Sequence, residues 1–359
     1  MHVVRGVLKE YDWGVVDGLA RWCGGPTGAP QAELWFGNHP AGAATIVSGP
    51  REGETLERLP EHAGMPMVKL LVASTPLSIQ VHPDAELARR GWESQQATSR
   101  DQWLYADDAE KSEMVVAITA FDVHAGWREP DAAAEVLERA GAPAGIVSAA
   151  RAGDHPEAIR RILALDPAQC GLIEARLVAA ATAAGWDTVA VSALARVAAT
   201  HPADPGVLVT VLLDHALLAP GEGIAVPAGV VHSYVVGLAA EVMTSSDNVL
   251  RLGLTTKTVA VDEALSAVRD DRAPVALGGY AGEVLSPPGM PFDLVLAGYP
   301  IDAASGSHRV VIGLHGVTSV RSGSDVVRLD EGLAVVAAPG EPDLVVEPEG
   351  TAIVVSGRP

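Results

Sequence analysis

The sequence predicts a mainly β fold carrying a helical insertion, with two β-barrels or sandwiches separated along the chain. Three observations predict it. Short apolar runs broken by Gly, Pro and Asn-His-Pro turns fill residues 1–129. Capped, Ala/Leu-rich periodic stretches fill residues 130–203. Short strands then return, giving a unit of residues 1–129 plus 204–273 and a second β unit over 274–359.

Taken in order, Leu77-Ser78-Ile79-Gln80-Val81-His82-Pro83 alternates, so Ser78, Gln80 and His82 share one face of a strand. Pro83 ends that strand, and Asp84 is placed to cap a short helix from Ala85 to Arg90. Pro130-Asp131 opens a helix that stops near Gly141, and His155-Pro156-Glu157 opens another, Ala158 to Leu165. Leu172 to Ala184 and Val189 to Ala199 continue the helical stretch. Beyond Pro274 the clearest strands are Val310 to Val317, Asp325 to Leu329 and Ala352 to Val355.

Composition narrows the function. The 25 Lys and Arg against 45 Asp and Glu give a net charge of -20, which excludes a nucleic-acid partner because a phosphate backbone needs a basic face. A small anion held in a locally basic pocket stays compatible with that charge. No apolar run is long enough for a membrane span, and Met1-His2-Val3-Val4-Arg5 does not read as a secretion signal. Cys23 and Cys170 lie far apart and read as ordinary thiols of a reducing cytoplasm. The expected assembly is a monomer or a weak homo-oligomer.

Four residues gather into a metal site. Gln80 and His82, at i and i+2 on a strand, point into one cavity. Glu113 leads an apolar strand, where a buried carboxylate requires a partner. Gly221, Pro227, Gly229 and His232 fit the spacing G-x5-P-x-G-x2-H, which resembles the second metal motif of the cupin superfamily, with Val236 where that motif often ends in Asn. Two imidazoles, a carboxylate and an amide oxygen suit Zn²⁺ as a Lewis acid, although Mn²⁺, Fe²⁺ and Co²⁺ accept similar donors.

These residues stand within longer ordered blocks: Tyr11-Asp12-Trp13-Gly14, Ala32 to Pro40, Pro76 to Asp84, Lys111 to Met114, Val226 to Tyr234 and Glu241 to Lys257. In these blocks the chain resembles the type I mannose-6-phosphate isomerases. The resemblance implies interconversion of mannose 6-phosphate and fructose 6-phosphate, one Zn²⁺ per chain on Gln80, His82, Glu113 and His232, and two cupin-like jelly rolls with a helical domain. It implies a metal-free second barrel, since no histidine follows Pro339-Gly340.

An aldose–ketose isomerisation moves a proton between C1 and C2 through an enediol, so it needs a base, a cation at the developing oxyanion and a phosphate holder. Arg251 is the candidate cation. By resemblance Lys111, Glu241 and Asp247 lie near the reacting carbons, with Lys111 placed ahead of Glu241 as base. Ser78, Lys69 and Lys257 are candidates for the phosphate, and Trp13 for a pocket wall. Glu110 and His124 depart from the family pattern near the third ligand and keep open a different phosphorylated sugar as substrate, or a non-catalytic sugar-binding module. A cupin oxygenase is disfavoured by the Gln80 and Glu113 ligands and by the Arg251 block.

Overall fold

The structure, a computed structural model, describes residues 1–279 and 282–358. Strand exceeds helix, as expected, and the strands collect into an eleven-stranded and a six-stranded sheet with two smaller ones. Among the described residues the ladders of the eleven-stranded sheet do not close into a ring.

Alternation explains how the large sheet carries chemistry. In strand Met67–Ala73, Val68, Leu70 and Val72 pack into an apolar core with Leu34, Phe36, Val116 and Val242. Lys69 therefore points to the opposite face. Cross-strand pairing sets Trp35 beside Lys69 and Lys69 beside Glu241, so these three form one row on that face.

Strand His232–Met243 turns the sheet. Its first half pairs with Phe121–Trp127 and its second half with Met67–Ala73 and Glu113–Ala117. Gly237 sits at the change of partners with φ +128°, and a Cβ there would lie 2.5 Å from the Ala120 carbonyl oxygen. Gly237→Ala is expected to lose roughly 2–4 kcal/mol of stability through backbone strain and overlap. Urea unfolding measures it, and an unchanged midpoint would mean that the corner is not constrained as described.

The six-stranded sheet runs Phe292–Ala297, Thr351–Gly357, Arg309–His315, Leu333–Ala337, His2–Arg5, Thr45–Ser48. Val310 and Ile312 face the core shared with the large sheet, whereas Val311 faces a four-stranded sheet through Val320, Leu344 and Val346. Burial on both faces explains the unbroken Val-Val-Ile run. Two of its strands come from the first fifty residues, so the two β units share a sheet.

Helices Pro130–Ala140, Ala144–Arg151, His155–Leu163, Pro167–Ala183 and Thr188–Thr200 fill the stretch between. Among their capped starts, Asp154 accepts from the Glu157 N–H, and Asp166 forms a reciprocal capping box with Gln169. Gly141 ends the first helix in the left-handed region. The helix after Asp84 extends to Gln95, past the expected Arg90. No helix among the described residues is long and apolar enough to cross a membrane.

Candidate metal centre and active site

Three strands and two loops bring the metal candidates together. Glu113 opens strand Glu113–Ala117, which lies between Gly223–Val226 and the end of His232–Met243. His232 begins that last strand, and Gln80 is its direct ladder partner. The Gly-Pro-Gly turn before His232 is tied to both other ligand segments: the Gly229 N–H donates to the His82 carbonyl at 2.9 Å, and the Ala228 N–H to the Ser112 hydroxyl at 3.1 Å. The expected spacing motif thus works as a clamp, and Gly229, at φ +90°, has no room for a side chain beside Arg269.

His82, Glu113 and His232 are each fully buried, and their ligand atoms lie within 4.8 Å of one another. His82 Nδ1–H donates to the Asn248 carbonyl at 2.7 Å, and His232 Nδ1–H to the Val230 carbonyl at 3.0 Å. Each Nε2 is left with its lone pair facing inward. His82 Nε2 then meets Glu113 Oε2 at 3.2 Å, and His232 Nε2 meets Oε1 at 3.2 Å without forming a hydrogen bond. Lone pairs facing carboxylate oxygens repel unless a cation lies among them, so the residues present fit a metal ion. Protonating His82 does not solve the problem. Burial, then the Lys111 ammonium, push its imidazole down to about 3. Burial alone would raise the Glu113 carboxyl, but Lys111 and His82 outweigh it and hold it well below the usual range.

Beside the triad opens a cavity of about 740 Å³. Gln80, Ser78, Lys111, Glu241, Asp247, Arg251, Lys69, Lys257 and Trp13 line it, as does Tyr234. His82, Glu113 and His232 are not among its lining residues and adjoin it through Lys111 and Tyr234, which contact Glu113. Arg251 is the ladder partner of Gln80, which aims both to the same side. Trp13 stacks on Tyr11 at 5.7 Å and forms a wall.

The charges are paired in a way the sequence does not reveal. Lys69 Nζ lies 3.0 Å from Glu241 Oε2 and 4.7 Å from the Trp35 ring centre, and Trp35 Nε1–H donates to Glu33 at 2.6 Å. Burial would lower the Lys69 ammonium, but Glu241, Glu33 and Asp247 reverse that and keep it charged. Burial raises the Glu241 carboxyl to about 7 even with Lys69 in contact. Lys111 Nζ is 3.1 Å from Glu113 Oε2.

Glu110 and His124, which depart from the family pattern, do not line this cavity among the described residues. Glu110 accepts from the Ser112 hydroxyl at 3.1 Å and the Ala85 N–H at 3.2 Å. His124 is buried, opposite His215 and Ser233 in the ladders, while its neighbour Ala125 stands opposite His232. Sequence reasoning gives no role to Glu33, Trp35 or Tyr234. Each lies at an i, i+2 position with a marked residue or with another of the three, so alternation is the available signal.

Comparison with known proteins agrees with this geometry. Residues 1–130 match the family model "Phosphomannose isomerase type I, catalytic domain". The chain is 30% identical over 310 residues to mannose-6-phosphate isomerase of Salmonella typhimurium, covering 78% of this chain and 76% of that protein. The chain belongs to the type I phosphomannose isomerase family. Members from Schizosaccharomyces pombe (27% identical, 95% of this chain and 93% of that one) and Mus musculus (28%, 71% and 70%) are similar as well. Among solved phosphomannose isomerase structures, a mannose 6-phosphate isomerase bound with zinc and yttrium aligns with a TM-score of 0.85 at 24% identity, over the whole of both chains. The apo form from Salmonella typhimurium gives 0.85 at 23%, over 100% of this chain and 99% of that one. At these identities the structures speak for the fold.

Proposed function

We propose that this chain interconverts mannose 6-phosphate and fructose 6-phosphate, with one zinc ion held by Gln80, His82, Glu113 and His232. The observation that carries the reading is the buried His82–Glu113–His232 triad, whose inward lone pairs demand a cation beside a cavity of sugar-phosphate size. Bound there, zinc would supply Lewis acidity toward a sugar oxygen.

The chain's own groups divide the remaining work. Glu241 is the base that moves the proton between C1 and C2: it is buried, lines the cavity, and is raised to about 7, near the working pH of a general base. Lys69 orients it through their 3.0 Å ion pair. That pairing turns Lys69 away from the phosphate role expected of it. Lys111 is the base the sequence puts first, but its 3.1 Å contact with Glu113 ties it to the metal triad. Lys111 and Arg251 face the developing oxyanion, and Asp247 orients Arg251. Ser78 and Lys257 take the phosphate at the open end of the cavity, where Lys257 is exposed and free of the acidic row around Glu241. Trp13 and Tyr11 wall the sugar. The site-bearing sheet is read as cupin-like from the Gly221–Pro227–Gly229–His232 turn.

A coupled assay of mannose 6-phosphate conversion tests this. Treatment with a chelator should abolish turnover, and added zinc should restore it under anaerobic conditions. Fully metallated protein that turns over a different sugar phosphate, and not this one, would overturn the named substrate.

A further inference from the structure

Tyr234 follows His232 by two positions on the same strand, so both side chains leave the same face. It is buried, its ring packs against Phe121 at 5.5 Å, and its centroid lies 5.7 Å from that of His232. Its hydroxyl donates to Glu113 Oε1. The other carboxylate oxygen, Oε2, faces His82 Nε2 and Lys111 Nζ. A carboxylate fixed on a rigid strand still rotates about its last torsion, which is broad and roughly two-fold. A strand-anchored hydroxyl on one oxygen stops that rotation.

We propose that Tyr234 is the positioning residue of the metal centre. Resting on the metal reading above, its hydroxyl holds Glu113 Oε1, which also faces His232 Nε2 at 3.2 Å, and so fixes the orientation in which the carboxylate would meet the ion. The assignment has a physical cause in burial. Glu113 is out of contact with water, so each of its lone pairs needs a protein partner, and Tyr234 is the neutral donor within reach.

Tyr234→Phe retains the ring against Phe121 and removes only the hydroxyl. The purified protein is stripped of metal and titrated with zinc against a chromophoric chelator, in parallel with the parent and with His82→Ala. A dissociation constant raised about 10- to 100-fold in Tyr234→Phe, with kcat and KM recovered at saturating zinc, is the expected result. Parent-like zinc affinity in Tyr234→Phe, with kcat still depressed at saturating zinc, would overturn it and give the hydroxyl a direct role on the substrate. Parent-like affinity with parent-like kinetics would also overturn it, leaving Tyr234 as packing alone. Should the parent bind zinc no more tightly than His82→Ala, the metal reading itself fails, and that outcome is distinct from both.

Discussion

His232→Ala should lose more than about 1,000-fold in kcat/KM and copurify without metal, a larger effect than the 10- to 100-fold typical of partners outside the coordination sphere. The reason lies in the triad geometry. With the imidazole gone, only His82 and Glu113 remain of three groups whose ligand atoms lie within 4.8 Å. Two donors and an amide do not hold zinc well in water. The fold should survive, because strand His232–Met243 is held by ladders along its length. The coupled assay, elemental analysis and an unfolding curve of the apo form measure the three parts separately. A His232→Ala protein that keeps both its metal and its turnover would show that the triad is not the metal centre.

Glu241→Gln should cut kcat by about 100- to 10,000-fold while leaving the metal content unchanged. The pH dependence carries the sign. As the proposed base, Glu241 acts in its carboxylate form, and burial raises its titration to about 7. The parent's kcat/KM should therefore rise with pH through that region and fall below it. In Glu241→Gln the residual rate should be flat there. Lys69→Met removes the ammonium 3.0 Å away, so the same limb should move to higher pH. If the rising limb persisted in Glu241→Gln, another group would be the base, and Lys111 would be tested next.

Local chemistry makes much of this fold and site legible in the amino-acid sequence. Asp154 and Asp166 cap the helices they precede, and Gly141 terminates one, because caps depend only on neighbours. The Gly221–Pro227–Gly229 turn and His232 are readable from spacing, since a glycine at positive φ and a proline define a local path. The i, i+2 rule places Ser78 and Gln80 on one cavity wall. The helix starting at Ala85 runs longer than its local pattern implies, to Gln95, whose side chain bonds to the 104–105 backbone.

Other features need the folded chain. Nothing in the order of residues says that Lys69 faces Glu241, because the two sit on strands far apart in sequence and meet only through register. The same applies to Tyr234 on Glu113 and to the placement of His124 away from the cavity beside His215. The sequence by itself determined which residue types could hold a metal and move a proton, for those are properties of side chains and their near neighbours. The tertiary structure decided which of them touch, and so which charges are neutralised and which stay free to act, because pairing across strands and loss of water are set by long-range packing.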